Sequence, residues 1–210
     1  MVQTSQRMTF ASGDLTLEGA LQLPATTPAP GVVVCHPHPQ YGGDMENNVV
    51  MAVCQALLQQ GYVALRFNFR GTGGSGGAFD QGIGELEDVR AALKHLASLP
   101  EVDEGRVGLV GYSFGAMMAA EVAHAGLRAL ALISPPVGFT DLRVGWGCPA
   151  LLLGCEGDNI APAERLRAVA DQPDVELKLF AGGDHSWWGR EDDLSQALGK
   201  FFARHMDGSS

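Results

Sequence analysis

Two hydrophobic periods take turns along this chain. Residues 8–24 alternate apolar and polar positions (Met8-Thr9-Phe10, then Leu15-Thr16-Leu17 and Leu21-Gln22-Leu23) around a break at Ser12-Gly13-Asp14, which predicts an antiparallel hairpin at a sheet edge. Gly31–Cys35 is apolar without alternation, as in a strand buried on both faces. From Asp44 to Gln60 the apolar positions Met45, Val49, Val53 and Leu57 recur at helical spacing, with Gly61 placed to end the helix. The same alternation continues to the end of the chain. Strands are predicted at 62–69, 107–112, 130–133, 150–154 and 175–180, and helices on Leu86, Val89, Leu93 and Leu96, on Ala116, Ala119, Ala120 and Ala123, on Leu166 and Val169 behind Pro162, and on Leu194, Leu198 and Phe201. Residues 206–210 read as a frayed polar tail.

Strands alternating with helices at this spacing imply an α/β fold with a mostly parallel, doubly covered central sheet. Chemistry in such sheets collects at the carboxyl ends of the strands. The 210 residues, 46% hydrophobic, match a single domain spanning 1–210. No apolar run has the length of a membrane span, and Met1–Arg7 lacks the apolar core of a signal peptide, so a cytoplasmic protein without a membrane partner is expected. Cys35, Cys54, Cys148 and Cys155 lie in apolar stretches without a Cys-x-x-Cys pair and read as buried thiols. A net charge of −10 argues against nucleic acid as a partner.

Among strand ends, Val107–Ala116 stands out: an apolar strand runs through Gly111-Tyr112-Ser113-Phe114-Gly115 straight into a helix pattern. A turn this tight accepts only glycine at its flanks and displays the central serine above the sheet. In a chain with 28 glycines the pentapeptide also arises by chance, and Gly73-Gly74-Ser75-Gly76-Gly77 repeats it. Ser75 is followed by more loop; Ser113 is the candidate nucleophile.

A serine nucleophile needs a base, and the base an orienting acid. Of six histidines, His95 and His124 fall within helical patterns and His205 near the chain end, whereas His185 follows the last strand on a glycine-rich loop. Asp158 stands between the next-to-last strand and a helix start, where capping is an equal alternative to an acid's role. Its place in the order Ser113, Asp158, His185 favours the acid. Asp141 and Glu156 are the other acids in position. The oxyanion hole needs two N–H groups, one from Phe114 and one from the loop His36-Pro37-His38-Pro39-Gln40-Tyr41-Gly42-Gly43. Proline donates nothing, which leaves His38, with Tyr41 as fallback.

The segments His36–Asn47 and Arg66–Ser75 resemble the His-Pro-His-Pro-x-x-Gly-Gly-x-Met-x-Asn and Arg-Phe-Asn-Phe-Arg-Gly-x-Gly-x-Ser segments of the α/β-hydrolase superfamily, in the small lidless subgroup related to dienelactone hydrolases and prolyl-oligopeptidase-like esterases. The likeness runs from about Val32 to the last helix and implies Ser113 as nucleophile, Asp158 as acid and His185 as base. Members with a cap insert it after the strand that follows the nucleophile helix; here Ser134–Pro149 leaves about fifteen residues, too few for one. An open, shallow site is expected, with Tyr41, Trp187 and Val137–Phe139 as candidate walls.

Three rivals compete with this reading. Gly71–Gly76 matches Gly-x-Gly-x-x-Gly, but a dinucleotide site requires a helix to open at the last glycine, and Gly77–Gly84 reads as loop. His36 and His38 would form half of a metal site, with no His-Glu-x-x-His or spaced Cys/His cluster to complete it, against the alternative of a histidine pair that shapes the oxyanion loop. A non-catalytic scaffold is the third. The expectation is therefore a cofactor-independent serine esterase that cleaves small carboxylic esters through an acyl-enzyme, with a small-molecule ester as its partner and its oligomeric state open.

Overall fold

The apolar runs without alternation lie where both of their faces are covered. The computed structural model describes residues 5–207 and contains one eight-stranded sheet: β1 (Ser5–Ser12), β2 (Leu15–Gln22), β3 (Ala29–Cys35), β4 (Val63–Phe67), β5 (Val102–Tyr112), β6 (Ala129–Ile133), β7 (Ala150–Cys155) and β8 (Val175–Phe180), in the order β1-β2-β4-β3-β5-β6-β7-β8. β1 and β2 form the antiparallel hairpin, β2 joins β4 antiparallel, and β4, β3 and β5–β8 run parallel.

Along β3, Val33 and Cys35 face one core while Val32 and Val34 face the other, and along β5 Leu109 and Val110 part in the same way. One face is covered by α1 (Asn48–Gln59) and α5 (Glu191–Met206), the other by α2 (Gly84–Ala97), α3 (Phe114–Val122) and α4 (Ala163–Ala170). The succession β3 to β4 steps toward one sheet edge, and β5 onward steps toward the other. The reversal falls between β3 and β5, and the crevice outside their carboxyl ends is where such sheets hold ligands. Between β6 and β7 the chain forms a loop, with no cap domain.

Several boundaries differ from the sequence pattern. α1 starts after Asn47, whose side chain accepts the Val49 N–H at 3.0 Å, so Asp44–Glu46 stay outside the helix although Met45 is buried. β5 begins five residues earlier than its apolar run, at Val102, because Val102 pairs with Ala29 across a register shift. α3 ends at Val122, which leaves His124 in the following turn. The frayed end does not begin at Met206: that side chain is fully buried, and Asp207 accepts a 2.8 Å hydrogen bond from the Tyr62 hydroxyl. The rest of that expectation, 208–210, lies outside the described residues. Among the described residues no helix is long and apolar enough to cross a membrane.

Candidate active site

β5 ends at Tyr112 and α3 starts at Phe114, so Ser113 alone makes the turn, with φ 54° and ψ −117°. L-residues seldom hold positive φ, and the surroundings must enforce it. The Ser113 N–H donates to the Ile133 carbonyl at 2.9 Å, while its own carbonyl accepts from Ala116 at 2.9 Å and Met117 at 3.2 Å. Both flanking glycines are demanded by packing: a Cβ at Gly111 would overlap the Gly115 carbonyl, and one at Gly115 would meet the Cys35 and His36 carbonyls. Helix α3 thus sits directly on the end of β3.

The loop after β8 carries His185 over this turn. Its Nε2 lies 2.8 Å from Ser113 Oγ, and its Nδ1 lies 2.8 Å from Asp158 Oδ2. Asp158 is buried, and its Oδ1 accepts the N–H groups of Ile160 and Ala161, each at 2.9 Å. The sequence left local capping and an acid's role as alternatives, and the geometry divides them: one oxygen ties the turn, the other faces the imidazole. Helix α4 itself starts at Ala163, behind Pro162 at the cap position, without a side-chain cap. Burial alone would raise the Asp158 carboxyl, but hydrogen bonds from His185, the Ala161 N–H and the Ser134 hydroxyl hold it below the usual range. An ionised Asp158 only accepts, so Nδ1 carries the imidazole proton and Nε2 accepts from Ser113. Asp141 is elsewhere, paired with Arg165 at 3.3 Å, and Glu156 is exposed.

Two side chains fix the His185 loop. The Tyr112 hydroxyl donates to the His185 carbonyl at 2.6 Å, and Asn48 Nδ2 donates to the Ser186 carbonyl at 3.1 Å. Trp187 was expected as a wall of the site and is instead fully buried behind it, edge-on to Phe180, with Nε1–H donating to Ser134 Oγ at 3.0 Å. A large indole gains most by burial when its N–H finds a partner inside, and here Trp187 turns inward while Trp188 is 73% exposed. Ser113, Ser134 and Trp187 are three of the five non-glycine residues with positive φ among the described residues, so backbone strain gathers on one hydrogen-bonded group around Asp158 and His185.

Across the crevice, the loop after β3 is held by His36. Its Nδ1–H donates to the Pro37 carbonyl at 2.6 Å, and its Nε2 accepts the Phe69 N–H at 3.0 Å. With both nitrogens engaged, His36 has no lone pair for a metal, and the paired-histidine metal alternative fails on this geometry. From Pro37 to Gly43, Gln40 N–H donates to His38 Nδ1, Tyr41 and Gly43 donate to the His38 carbonyl, and Gly42 donates to Pro39. That commits the Tyr41 N–H and leaves the His38 N–H without an acceptor among the described residues. Phe114 opens α3, so its N–H also lacks an intrahelical partner. The His38 ring lies 4.9 Å from the Phe114 and Phe79 rings and 4.8 Å from that of Tyr41.

Burial pushes the His36 imidazole down to about 4. Protonating Nε2 would set its new hydrogen against the Phe69 N–H. Between this value and the unfolded value of about 6.5, the unfolded chain takes up a proton that the folded chain refuses, so stability falls as pH falls. The native state should lose about 2 kcal/mol through His36 between about pH 7 and pH 5. Urea denaturation at the two pH values should show that loss shrinking in His36→Gln, whose amide offers the same donor and acceptor without titrating; an unchanged loss would refute the assignment.

The glycine-rich loop after β4 is structural. Ser75 Oγ donates to the Asn68 carbonyl at 2.6 Å and accepts the Glu18 N–H at 2.9 Å, so this serine is a buried staple. No helix opens at Gly76; α2 starts only at Gly84, which removes the dinucleotide reading. Sequence reasoning missed what anchors this loop. The Asp88 carboxylate, fully buried, accepts Arg70 Nε at 3.0 Å, Arg70 Nη2 at 2.8 Å and Ser12 Oγ at 2.8 Å. The anchored loop delivers Phe79 against His38 and Phe114.

Ser113 lies in an open cleft of about 560 Å³ walled by Phe114, Met117, Pro136, Phe139 and Ile160. Tyr41, 87% exposed, stands at its rim, and Phe139 is 78% exposed while Val137 is buried.

Comparison with known proteins agrees with this architecture. The family model described as X-Pro dipeptidyl-peptidase (S15 family) matches residues 13–172. An uncharacterized protein of Rickettsia prowazekii is 33% identical over 192 residues, covering 84% of this chain and 80% of its own. Among solved structures, an α/β serine hydrolase homologue from Coxiella burnetii is 31% identical with a TM-score of 0.84, covering 95% of this chain and 98% of its own. A Xanthomonas campestris protein, described as an α/β serine hydrolase without lid, is 28% identical with a TM-score of 0.89 over 100% of this chain and 99% of its own. On the family match and on the fold, this chain belongs to the X-Pro dipeptidyl-peptidase (S15) family of the α/β hydrolases and has the hydrolase fold without a lid.

Proposed function

We propose that this protein is a serine esterase that cleaves carboxylic esters through an acyl-enzyme. The observation that carries the proposal is the continuous chain Ser113 Oγ, His185 Nε2, His185 Nδ1, Asp158 Oδ2, with two unengaged N–H groups beside its nucleophilic end. Ser113 Oγ attacks the acyl carbonyl as its proton passes to His185 Nε2, and the N–H groups of His38 and Phe114 take the negative oxygen. Asp158 stabilises the imidazolium. His185 then gives the proton to the departing alcohol, and water, deprotonated by the same nitrogen, releases the acid.

The cleft favours esters over dipeptidyl substrates. Removing a dipeptide from a chain end requires a group to hold the free ammonium, and the cleft walls are apolar, with no carboxylate among the side chains that line them. The one-domain organisation, a cytoplasmic location and the absence of nucleic-acid or membrane partners belong to the same proposal, supported by a net charge of −10 and four buried free cysteines.

A fluorophosphonate probe should label the wild type and not Ser113→Ala, and hydrolysis of p-nitrophenyl butyrate should be indifferent to chelators. Unlabelled wild type, or turnover lost to a chelator, would reject the proposal.

A further inference from the structure

Two depressions meet at Ser113. Besides the cleft of about 560 Å³ there is a smaller pocket of about 250 Å³, on the side of Gly42, Gly43, Tyr112 and His185. Ser113, His38, Tyr41 and Ile160 border both, but Phe114 opens only on the large cleft and His185 only on the small pocket. That asymmetry orients a substrate. The tetrahedral carbon on Ser113 Oγ holds three other groups: the oxyanion directed at the Phe114 and His38 N–H groups, the acyl chain, and the leaving oxygen. The leaving oxygen must reach His185 Nε2 to receive its proton.

We propose that the large cleft takes the acyl chain and the small pocket takes the alcohol, so that the preferred substrates are esters of medium-length apolar acids with small, unbranched alcohols. This rests on the esterase reading above and adds the substrate class to it. Met117, Pro136, Phe139 and Ile160 give the acyl side an apolar wall, to which Thr140 adds one polar side chain. The cleft is open, so added methylenes gain contact step by step rather than meeting a closed end.

The alcohol side is built from parts that do not yield. Gly43 packs so closely on the preceding turn that a Cβ there would lie 2.7 Å from the His38 carbonyl oxygen. The Tyr112 ring is held by its 2.6 Å hydrogen bond to the His185 carbonyl. On this side a branched or cyclic alcohol meets the backbone of Gly42 and Gly43 and the held Tyr112 ring, and only the exposed Tyr41 at the rim is free to swing aside.

The test uses the whole protein and unactivated esters in a pH-indicator assay, with fluorophosphonate labelling of Ser113 run on the same preparation. Along ethyl acetate, butyrate and hexanoate, kcat/KM should rise about two- to fourfold per methylene. With the acyl group fixed as butyrate, exchanging ethanol for cyclohexanol should lower it at least about tenfold. Met117→Trp, which fills the acyl side, should cut the hexanoate-to-acetate ratio of kcat/KM about tenfold or more. A labelled enzyme that is flat along the acyl series, or that prefers the bulky alcohol, would overturn the subsite assignment and leave the esterase standing. An enzyme that is neither labelled nor active on any ester would overturn both.

Discussion

His185→Ala is expected to lower kcat/KM for an ester by about 10⁴-fold or more, and the double variant Ser113→Ala/His185→Ala to fall no further than the worse single variant. The reason lies in the hydrogen-bonded chain. On the proposed mechanism Ser113 attacks only as its proton leaves, and His185 Nε2, at 2.8 Å, is the group placed to take it. Once either group is gone the other has no role in the step, so their losses do not add. Asp158→Asn tests the third member in a different way. An amide that presents N–H toward His185 would shift the imidazole to the wrong tautomer, and a loss near 10⁴-fold is expected with the fold intact. Circular dichroism should show all four proteins folded before rates are compared. Additive losses, or a His185 variant within about a hundredfold of wild type, would mean that the two side chains do not act as one unit.

How far the sequence reveals this site depends on the range of the interactions involved. Strands β3, β5, β6 and β7 are legible because helices cover both faces, so their residues are apolar without alternation. The turn at Ser113 is legible because a backbone contact forbids a Cβ at Gly111 and Gly115, and glycine is the only residue that records such a contact. His185 emerges from its place on a glycine-rich loop after the last strand, and Asp158, which its own stretch leaves open between cap and acid, from the chain order Ser113, Asp158, His185.

What the pattern hides is set by contacts across long sequence separations. Trp187 reads as a wall of the site on its loop, but its N–H partner, Ser134, is 53 residues away, and only the fold brings that hydroxyl beneath it. The role of His36 depends on the Phe69 N–H, 33 residues distant, so a histidine that looks like half of a metal site proves to be a brace between two loops. Arg70 and Asp88 are 18 residues apart on a loop and a helix, and neither advertises that a buried pair secures the glycine-rich segment. The polar stretch Asp103 to Arg106 carries no strand pattern and lies within β5 at a register shift, between the Val102–Ala29 and Val107–Gly31 pairs that hold its two ends to β3.

Gly115→Ala should damage both stability and turnover. The added Cβ would lie 2.6 Å from the His36 carbonyl oxygen and closer still to that of Cys35, both of them backbone atoms at the end of a central strand. Neither can rotate aside, so α3 must back away from β3. Forcing a methyl into such a contact costs about 1–3 kcal/mol of stability. The same displacement separates the Phe114 N–H, on α3, from the His38 N–H, on the loop after β3, and one misplaced oxyanion donor costs on the order of 3 kcal/mol in barrier, a loss of about 10²-fold in kcat. KM should change far less, because the walls of the cleft remain. Gly105→Ala is the control: its Cβ meets only the side chain of Asp103, at 3.4 Å, on the exposed first part of β5. Melting curves and steady-state rates for the pair separate the two effects. A Gly115→Ala protein with wild-type kcat would show that α3 and β3 need not be in contact for turnover, and would remove the oxyanion assignment of Phe114 with them.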